Sequence, residues 1–374
     1  MQVMDRRQFE DLTRGSFELD KEAMEACKLH WNEVAKPLYS LGTFEKHLIQ
    51  IAGITGCQDI KLDKKAIVVM CSDNGVVEEG VTQTDQSVTA IVAGHIAEGK
   101  GNINTLACYS GAKVIAVDIG MNTEQVIAQN PDKHTEEEAL ESNGLIYARV
   151  ASGTANIAKG SAMSRAQAIQ AIMTGINLMK ELKDKGYSIV GTGEMGIGNT
   201  TTSSAMASVL LKLPVKELTG PGAGLSREGV LHKIQVIERA IKVNEPNSSD
   251  PLEVLAKIGG FDIAGLTGLF LGGMLYRLPV VIDGIISAVA ALTACRINPD
   301  AVHFMLASHH GREKACEYIL KEMGLTPVIY GDLALGEGSG TAFLFPLLDM
   351  AEAVYRNSPT FSGMKIEAYE DLKQ

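Results

Sequence analysis

The sequence predicts an α/β fold in which a mainly parallel sheet carries helices on both faces. Three observations predict it. Short β-branched runs alternate with helical stretches of ten residues or more, the pattern of successive βα units. The first strand candidate is a continuous apolar run after its first residue, as a strand covered on both faces must be. The chemically distinctive loops all follow strand candidates, and in parallel sheets ligands bind beyond the carboxyl ends of the strands. At 374 residues the chain is long enough for two domains or one large α/β domain.

Taken in order, residues 5–55 read as helices. Asp20 is placed to cap one that runs to about Val34, and 44–52 continue after the Leu41-Gly42 break. Residues 65–71, KAIVVMC, form the first strand and SDNG follows directly. Helical periodicity resumes over 88–97, and 113–117 form a second strand that ends in Asp118 and Gly120. Residues 123–146, which include EEEALES, read as a polar, exposed excursion. Residues 164–184 form an amphipathic helix with Ser164 as its N-cap and Gly186 past its end. The central strand is read over 187–190, before a glycine-rich turn, GTGEMGIGNTTTSS (191–204), that opens a helix.

A second glycine-rich loop, LTGPGAGLSRE (218–228), leads into a helix over 226–243. Residues 250–276 read as helices broken at Gly259-Gly260. Residues 279–282 are a strand ending in Asp283-Gly284, and 301–307 another ending at Ser308. LALGEGSGTA (333–342) precedes the last helix. The N-terminal helices and that last helix belong to no βα unit. They predict a small helical domain from residues 1–60 and 345–374, beside a large α/β domain over 61–344.

Composition excludes several functions. The net charge of −11 opposes a nucleic-acid or anionic-membrane surface. Aromatics at 5% are too few for a base-stacking platform. The six cysteines form no C-x-x-C pair, so the expectation is reduced thiols in a cytoplasmic protein. The apolar region 261–294 is cut by Arg277, Pro279 and Asp283, which reads as buried helix and strand and not as a membrane span.

The chemistry centres on 191–204. A strand, a glycine turn and a helix N-terminus aim backbone N–H groups at an anion, usually phosphate. Gly191, Gly193, Gly196 and Gly198 allow close approach, and Thr200 to Ser203 add hydroxyls. Glu194 is a carboxylate inside a loop built for anions, so it faces positive charge on the ligand. The stretch also fits two common glycine patterns, and both lack their charged partner. Glu194 would crowd the pyrophosphate of a dinucleotide, and Asn199 stands where a P-loop carries lysine. Glu337, held between Gly336 and Gly338, is a candidate base whose pKa burial would raise, or else an acid at a helix N-terminus. His309 and His310 have no third ligand spaced to join them in binding a metal. Asp73 is placed to bind a ribose or cap a turn.

Five motifs in order, GTGEMGIGNTT, GPGAGL with the helix bearing Lys233, KIGGFDIAGLTG, LPVVIDG and LGEGSG, resemble nicotinate-nucleotide:dimethylbenzimidazole phosphoribosyltransferases. The resemblance runs from about residue 30 to the last helix. It implies a Rossmann-like parallel sheet with a small helical domain from both termini. It also implies transfer of phosphoribose from nicotinate mononucleotide to an aromatic acceptor, with nicotinate released and an α-riboside 5′-phosphate formed for the lower ligand of a cobamide. Neither metal nor ATP nor another cofactor is implied, since the pyridinium is already a good leaving group.

Residue by residue, the resemblance makes Glu337 the catalytic base and Glu194 the second active-site acid, beside the oxocarbenium-like ribose. It puts Gly193, Gly196, Gly198, Asn199, Thr200, Gly222, Ala223, Lys233, Asp283, Gly284 and Ser308 around the nucleotide and its phosphate. The acceptor pocket is expected from Asp73, Asn74, Thr84, Gln86, Val88, Val92, Met195 and Leu335. Here the chain departs from the family: Asp73-Asn74-Gly75 replaces DHG, and KPLYSLG (36–42) replaces KPxGSLG. Three readings stay open at this point. They are a benzimidazole-type acceptor, a phenol or p-cresol acceptor in complex with a paralogous subunit, and a non-catalytic nucleotide-binding paralogue. The partners expected are the two substrates and a second chain, as homodimer or heterodimer, with no nucleic acid and no membrane.

Overall fold

A computed structural model describes residues 6–122 and 144–370. Six strands form one sheet in which every neighbouring pair is parallel. They are β1 (Lys65–Ser72), β2 (Ala112–Gly120), β3 (Leu145–Tyr147), β4 (Ile189–Met195), β5 (Val280–Ile282) and β6 (Met305–Ala307), in spatial order β3-β2-β1-β4-β5-β6. Two short strands, β7 (His309–His310) and β8 (Ile329–Tyr330), pair separately. The chain order reverses between β1 and β4. There the connections leave toward opposite sides and open a crevice at the strands' carboxyl ends.

The helices are, in order, α1 (Arg6–Thr13), α2 (Lys21–Glu33), α3 (Thr43–Thr55), α4 (Ser87–Ala97), α5 (Asn102–Ser110), α6 (Arg165–Asp184), α7 (Asn199–Leu211), α8 (Arg227–Asn244), α9 (Pro251–Ile258), α10 (Phe261–Tyr276), α11 (Ile285–Ile297), α12 (Lys314–Glu322) and α13 (Ser339–Asn357). Their apolar faces cover both sides of the sheet, and β1 shows how. Every residue of β1 is buried. Ala66, Val68 and Met70 point into a core shared with α6 to α12, whereas Ile67, Val69 and Cys71 point into one shared with α2 to α5 and α13. Local signals set the helix limits. Ser164 and Gln167 cap α6 reciprocally, Asp20 caps α2 and Ser226 caps α8. α6 and α10 meet at backbone distance. A Cβ on Gly268 would lie 2.0 Å from the Ile172 carbonyl oxygen, and one on Gly175 2.1 Å from that of Gly265.

Three expectations change. Gly191 to Met195 lie inside β4 rather than in a turn. Glycine serves close packing there: a Cβ on Gly191 would meet Thr341 Cγ2 at 1.9 Å, and one on Gly193 the Glu337 carbonyl oxygen at 2.5 Å. Residues 299–304 form a 3-10 turn, which leaves three residues of strand where seven were expected. Of the expected excursion 123–146, residues 123–143 lie outside those described. Leu145 and Ile146 are buried in β3, because they complete the sheet beside β2.

The two chain ends pack against each other. Trp31 packs edge-on against Tyr355 with centroids 5.0 Å apart, and Ala35 donates to the Pro359 carbonyl. The position 344/345 falls within α13, whose Leu344 and Phe345 share a core with Trp31, Leu48 and β1. Among the described residues no helix is long and apolar enough to cross a membrane.

Candidate active site

A cavity of about 310 Å³ opens at the carboxyl ends of β4 and β5, beside the point where strand order reverses. Six segments supply its walls: residues 81–84, the end of β4 with the first residues of α7, the 221–225 loop, residues 283–287 at the start of α11, residues 309–313, and the 333–337 loop before α13. The N-termini of α7 and α11 both reach the lining, which brings the positive ends of two helix dipoles to the cavity. Gly198, in a left-handed conformation at φ 93°, makes the sharp entry into α7.

Two carboxylates define one side. Glu194, at the end of β4, is pushed up to about 8 by burial, and Asp262, Asp283 and Glu337 add to the rise. Glu337 is 7% exposed and lies in the left-handed region at φ 59° between two glycines that share it. Burial raises its pKa, while Oε2 accepts the backbone N–H of Ile103. The loop that carries it rests on Glu194: a Cβ on Gly336 would lie 2.7 Å from Glu194 Oε1. Asp283 holds this loop in place, its two oxygens accepting the N–H groups of Gly338 (3.1 Å) and Gly340 (2.7 Å).

Positive charge lies on the other side. Lys233 of α8 is 1% exposed, donates to Thr200 Oγ1 at 2.8 Å, and is lowered to about 8 by burial. Gly222 lies directly over it, since a Cβ there would come 3.4 Å from Nζ. Glu313 accepts the Gly222 N–H at 2.9 Å and supports the lysine's charge. A buried ammonium beside a helix N-terminus and a glycine loop can hold a phosphate.

Most of the expected site residues come together here. Glu194, Met195, Gly196, Gly198, Asn199, Thr200, Gly222, Ala223, Asp283, Gly284, Leu335, Glu337 and Thr84 all line the cavity. Gly193 and Lys233 stand just behind the lining, against Glu337 and Thr200 respectively. Ser308 is also behind it, its hydroxyl held by the Ile282 carbonyl oxygen at 2.6 Å and by His309. On the acceptor side, Asp73, Asn74, Gln86, Val88 and Val92 lie outside the lining. Asp73 fastens the Asn122 N–H at 2.7 Å, and Gln86 donates to the Asn74 carbonyl at 3.0 Å. These residues shape the loop whose following segment, Val81 to Thr84, reaches the cavity.

Sequence reasoning did not single out Arg312, Glu313 or Gln83 and weighed His309 only as a metal ligand, yet all four line the cavity. It also missed Asp262, a fully buried carboxylate behind Asn199. Asp262 stands inside a motif already recognised, so its acidity in an apolar helix was the available signal. Arg312, Glu313 and Gln83 sit in irregular loops without periodicity, and His309 in the two-residue strand β7. Among the described residues no group of three His, Cys, Asp or Glu side chains is arranged to hold a metal ion.

A family model described as "Phosphoribosyltransferase" matches residues 17–366. The chain belongs to this family. As a phosphoribosyltransferase it is 44% identical, over 98% of its length and 99% of the relative's, to the nicotinate-nucleotide–dimethylbenzimidazole phosphoribosyltransferase of Ruminiclostridium cellulolyticum. The protein of the same name from Clostridium acetobutylicum is 43% identical over 97% of this chain and 99% of its own. The solved structure of CobT from Thermus thermophilus superimposes on 92% of this enzyme and 99% of that chain, with a TM-score of 0.83 at 31% identity.

Proposed function

We propose that this phosphoribosyltransferase moves the phosphoribosyl group of nicotinate mononucleotide to 5,6-dimethylbenzimidazole or a similar base, giving an α-riboside 5′-phosphate and nicotinate for a cobamide lower ligand. The observation that carries the reading is the division of one cavity between a buried lysine cradle and a buried carboxylate pair. Nicotinate mononucleotide has the matching division, an anionic phosphate and a cationic pyridinium at C1′.

In this reading the phosphate lies at the N-terminus of α7 between Lys233, Thr200 and Gly222. The C1′–pyridinium bond then lies near Glu194, whose anion stabilises the positive charge that builds on the ribose as the bond stretches. The acceptor nitrogen forms its bond to C1′ from the opposite face, and the C1′–N electron pair leaves with nicotinate. Glu337, with its raised pKa, takes the acceptor's N–H proton. The apolar part of the lining, Val81, Ile197, Leu225 and Leu335, suits a flat bicyclic base.

The relatives named above carry dimethylbenzimidazole in their names, which supports that acceptor class. The phenolic and non-catalytic readings draw no support from them. Part of the same proposal is that the enzyme works in the cytoplasm as a dimer, with residues 1–60 and 345–374 as its small domain. The family resemblance supports these three points.

The test is nicotinate release from nicotinate mononucleotide with dimethylbenzimidazole, adenine, phenol and p-cresol offered separately. Release with dimethylbenzimidazole, and an α-riboside phosphate as product, is the expected result. Release with phenols alone would replace the acceptor, and no release with any of the four would overturn the reading.

A further inference from the structure

Asp262 is a buried acid with no obvious reason to be there. It is the second residue of α10, it is fully buried, and it is not among the residues that line the cavity. Its hydrogen-bond donors are neutral. Oδ1 accepts the N–H of Ile263 at 2.9 Å, and Oδ2 accepts Asn199 Nδ2 at 3.0 Å. Burying a carboxylate on neutral donors is expensive, and the fold makes deliberate room for it. A Cβ on Gly196 would lie 2.5 Å from Oδ2, and one on Gly260 2.3 Å from Oδ1. Two glycines from two loops thus exist in contact with one acid.

The amide that Asp262 holds is the one that reaches Glu194. Asn199 Nδ2 carries two hydrogens, and it donates to both Asp262 Oδ2 and Glu194 Oε2. An asparagine has two ends of nearly equal shape, and its carbonyl end would repel Glu194. With a carboxylate on each side only the NH₂ end fits between them. Glu194 Oε2 is therefore tied inward, and Oε1 is left at the surface facing Gly336. The Asn74 side chain also reaches Asp262, beside Gly260. Asn74 belongs to the loop whose carbonyl Gln86 fastens on the acceptor side.

We propose that Asp262 is a positioning residue of the transfer reaction, which orients the Asn199 amide so that Glu194 presents Oε1 to the ribose, and which couples that carboxylate to the loop carrying Asn74. The inference rests on the reading of Glu194 given above. The titratable groups that face Glu194 are Asp262, Asp283 and Glu337, with the Cys71 thiol on the neighbouring strand.

The experiment uses the full chain and follows kcat and KM for nicotinate release across pH in wild type, D262N, N199A and E194Q. D262N is expected to lower kcat about ten- to a hundredfold, the scale on which groups that orient a reacting side chain act, with little change in KM for the nucleotide. The two bridge variants move the acidic limb of the profile in opposite directions. D262N removes a negative neighbour, so Glu194 ionises at lower pH and the limb moves down. N199A removes a donor from Glu194, so the limb moves up. Loss of a neighbouring charge alone predicts the downward shift in D262N with kcat unchanged, so the proposal requires the fall in kcat as well. If E194Q loses the limb while D262N and N199A keep the wild-type kcat and limb, the proposal fails and the reading of Glu194 stands. If E194Q itself turns over as wild type does, both fail. Should D262N not fold, the upward shift in N199A decides alone, and its absence overturns the proposal.

Discussion

Glu337 Oε2 accepts the backbone N–H of Ile103 at 3.3 Å, so the carboxylate sits against the N-terminus of α5. The helix end favours the ionised form while burial favours the neutral one, and burial is the larger influence. The result is a carboxylate of raised pKa, held in a left-handed conformation that few residues other than glycine adopt. Glu337→Gln keeps the shape and the backbone contact but cannot take a proton. It is expected to lower kcat by about 10²- to 10⁴-fold with nucleotide affinity retained. Steady-state nicotinate release, with calorimetry of nucleotide binding, checks both halves, and a variant with wild-type kcat would remove Glu337 as the base.

The fold was legible in the sequence wherever a single element carried its own signal. Ser164 and Asp20 marked helix starts that the structure keeps, and KAIVVMC became a strand buried on both faces. Glu194 and Glu337 stood out as charges in glycine-rich settings, and Lys233 only through the family resemblance. What was not legible depends on contacts between distant segments. Gly191 and Gly193 looked like a turn, yet they are strand residues made small by Thr341 and Glu337, about 150 positions away. Ile103 acts through its backbone N–H and Glu313 through a carboxylate that holds the Gly222 N–H, and nothing in their neighbours announces that.

The pH dependence follows from two groups with opposite needs. Glu194 must be ionised to face a cation, and its pKa stands at about 8 in the free enzyme. Lys233 must be protonated to hold a phosphate, and it has been lowered to about 8. Below that pH the carboxylate is neutral, and above it the ammonium is. The profile of kcat/KM for the nucleotide is therefore expected to be a narrow bell centred near pH 8, falling about tenfold per unit on each side. E194Q should flatten the acidic limb and K233M the alkaline one. A broad plateau from pH 6 to 9 would show that neither group titrates as described.

Lys233 also makes a prediction about which kinetic constant moves. Its ammonium lies at the cradle end of the cavity, bonded to Thr200, away from the carboxylate pair. A contact made equally to bound substrate and transition state changes KM and leaves kcat alone. K233M is thus expected to raise KM for nicotinate mononucleotide about ten- to a hundredfold, the worth of one charged hydrogen bond, with kcat little altered. Inorganic phosphate should compete with the nucleotide in wild type and lose that effect in the variant. A variant whose loss lies in kcat would place the phosphate elsewhere.

The α6–α10 contact predicts a stability effect that is independent of the chemistry. At Gly268 a methyl group would lie 2.0 Å from the Ile172 carbonyl oxygen, a backbone atom that cannot rotate away. The two helices must separate, and with them the packing of Ile172, Ile176, Leu269 and Leu271 in one core. Gly94 in α4 provides the contrast, because a Cβ there has nothing within 4 Å. Helical glycines without a steric reason weaken a helix relative to alanine by about 0.5–1 kcal/mol, so Gly94→Ala is expected to raise the thermal midpoint slightly. Gly268→Ala is expected to lower it through overpacking of about 1–3 kcal/mol or more. Thermal unfolding of both variants, followed by circular dichroism, gives the two signs. Equal shifts would mean that the helices have room to part and that the close approach at Gly268 is not what sets their spacing.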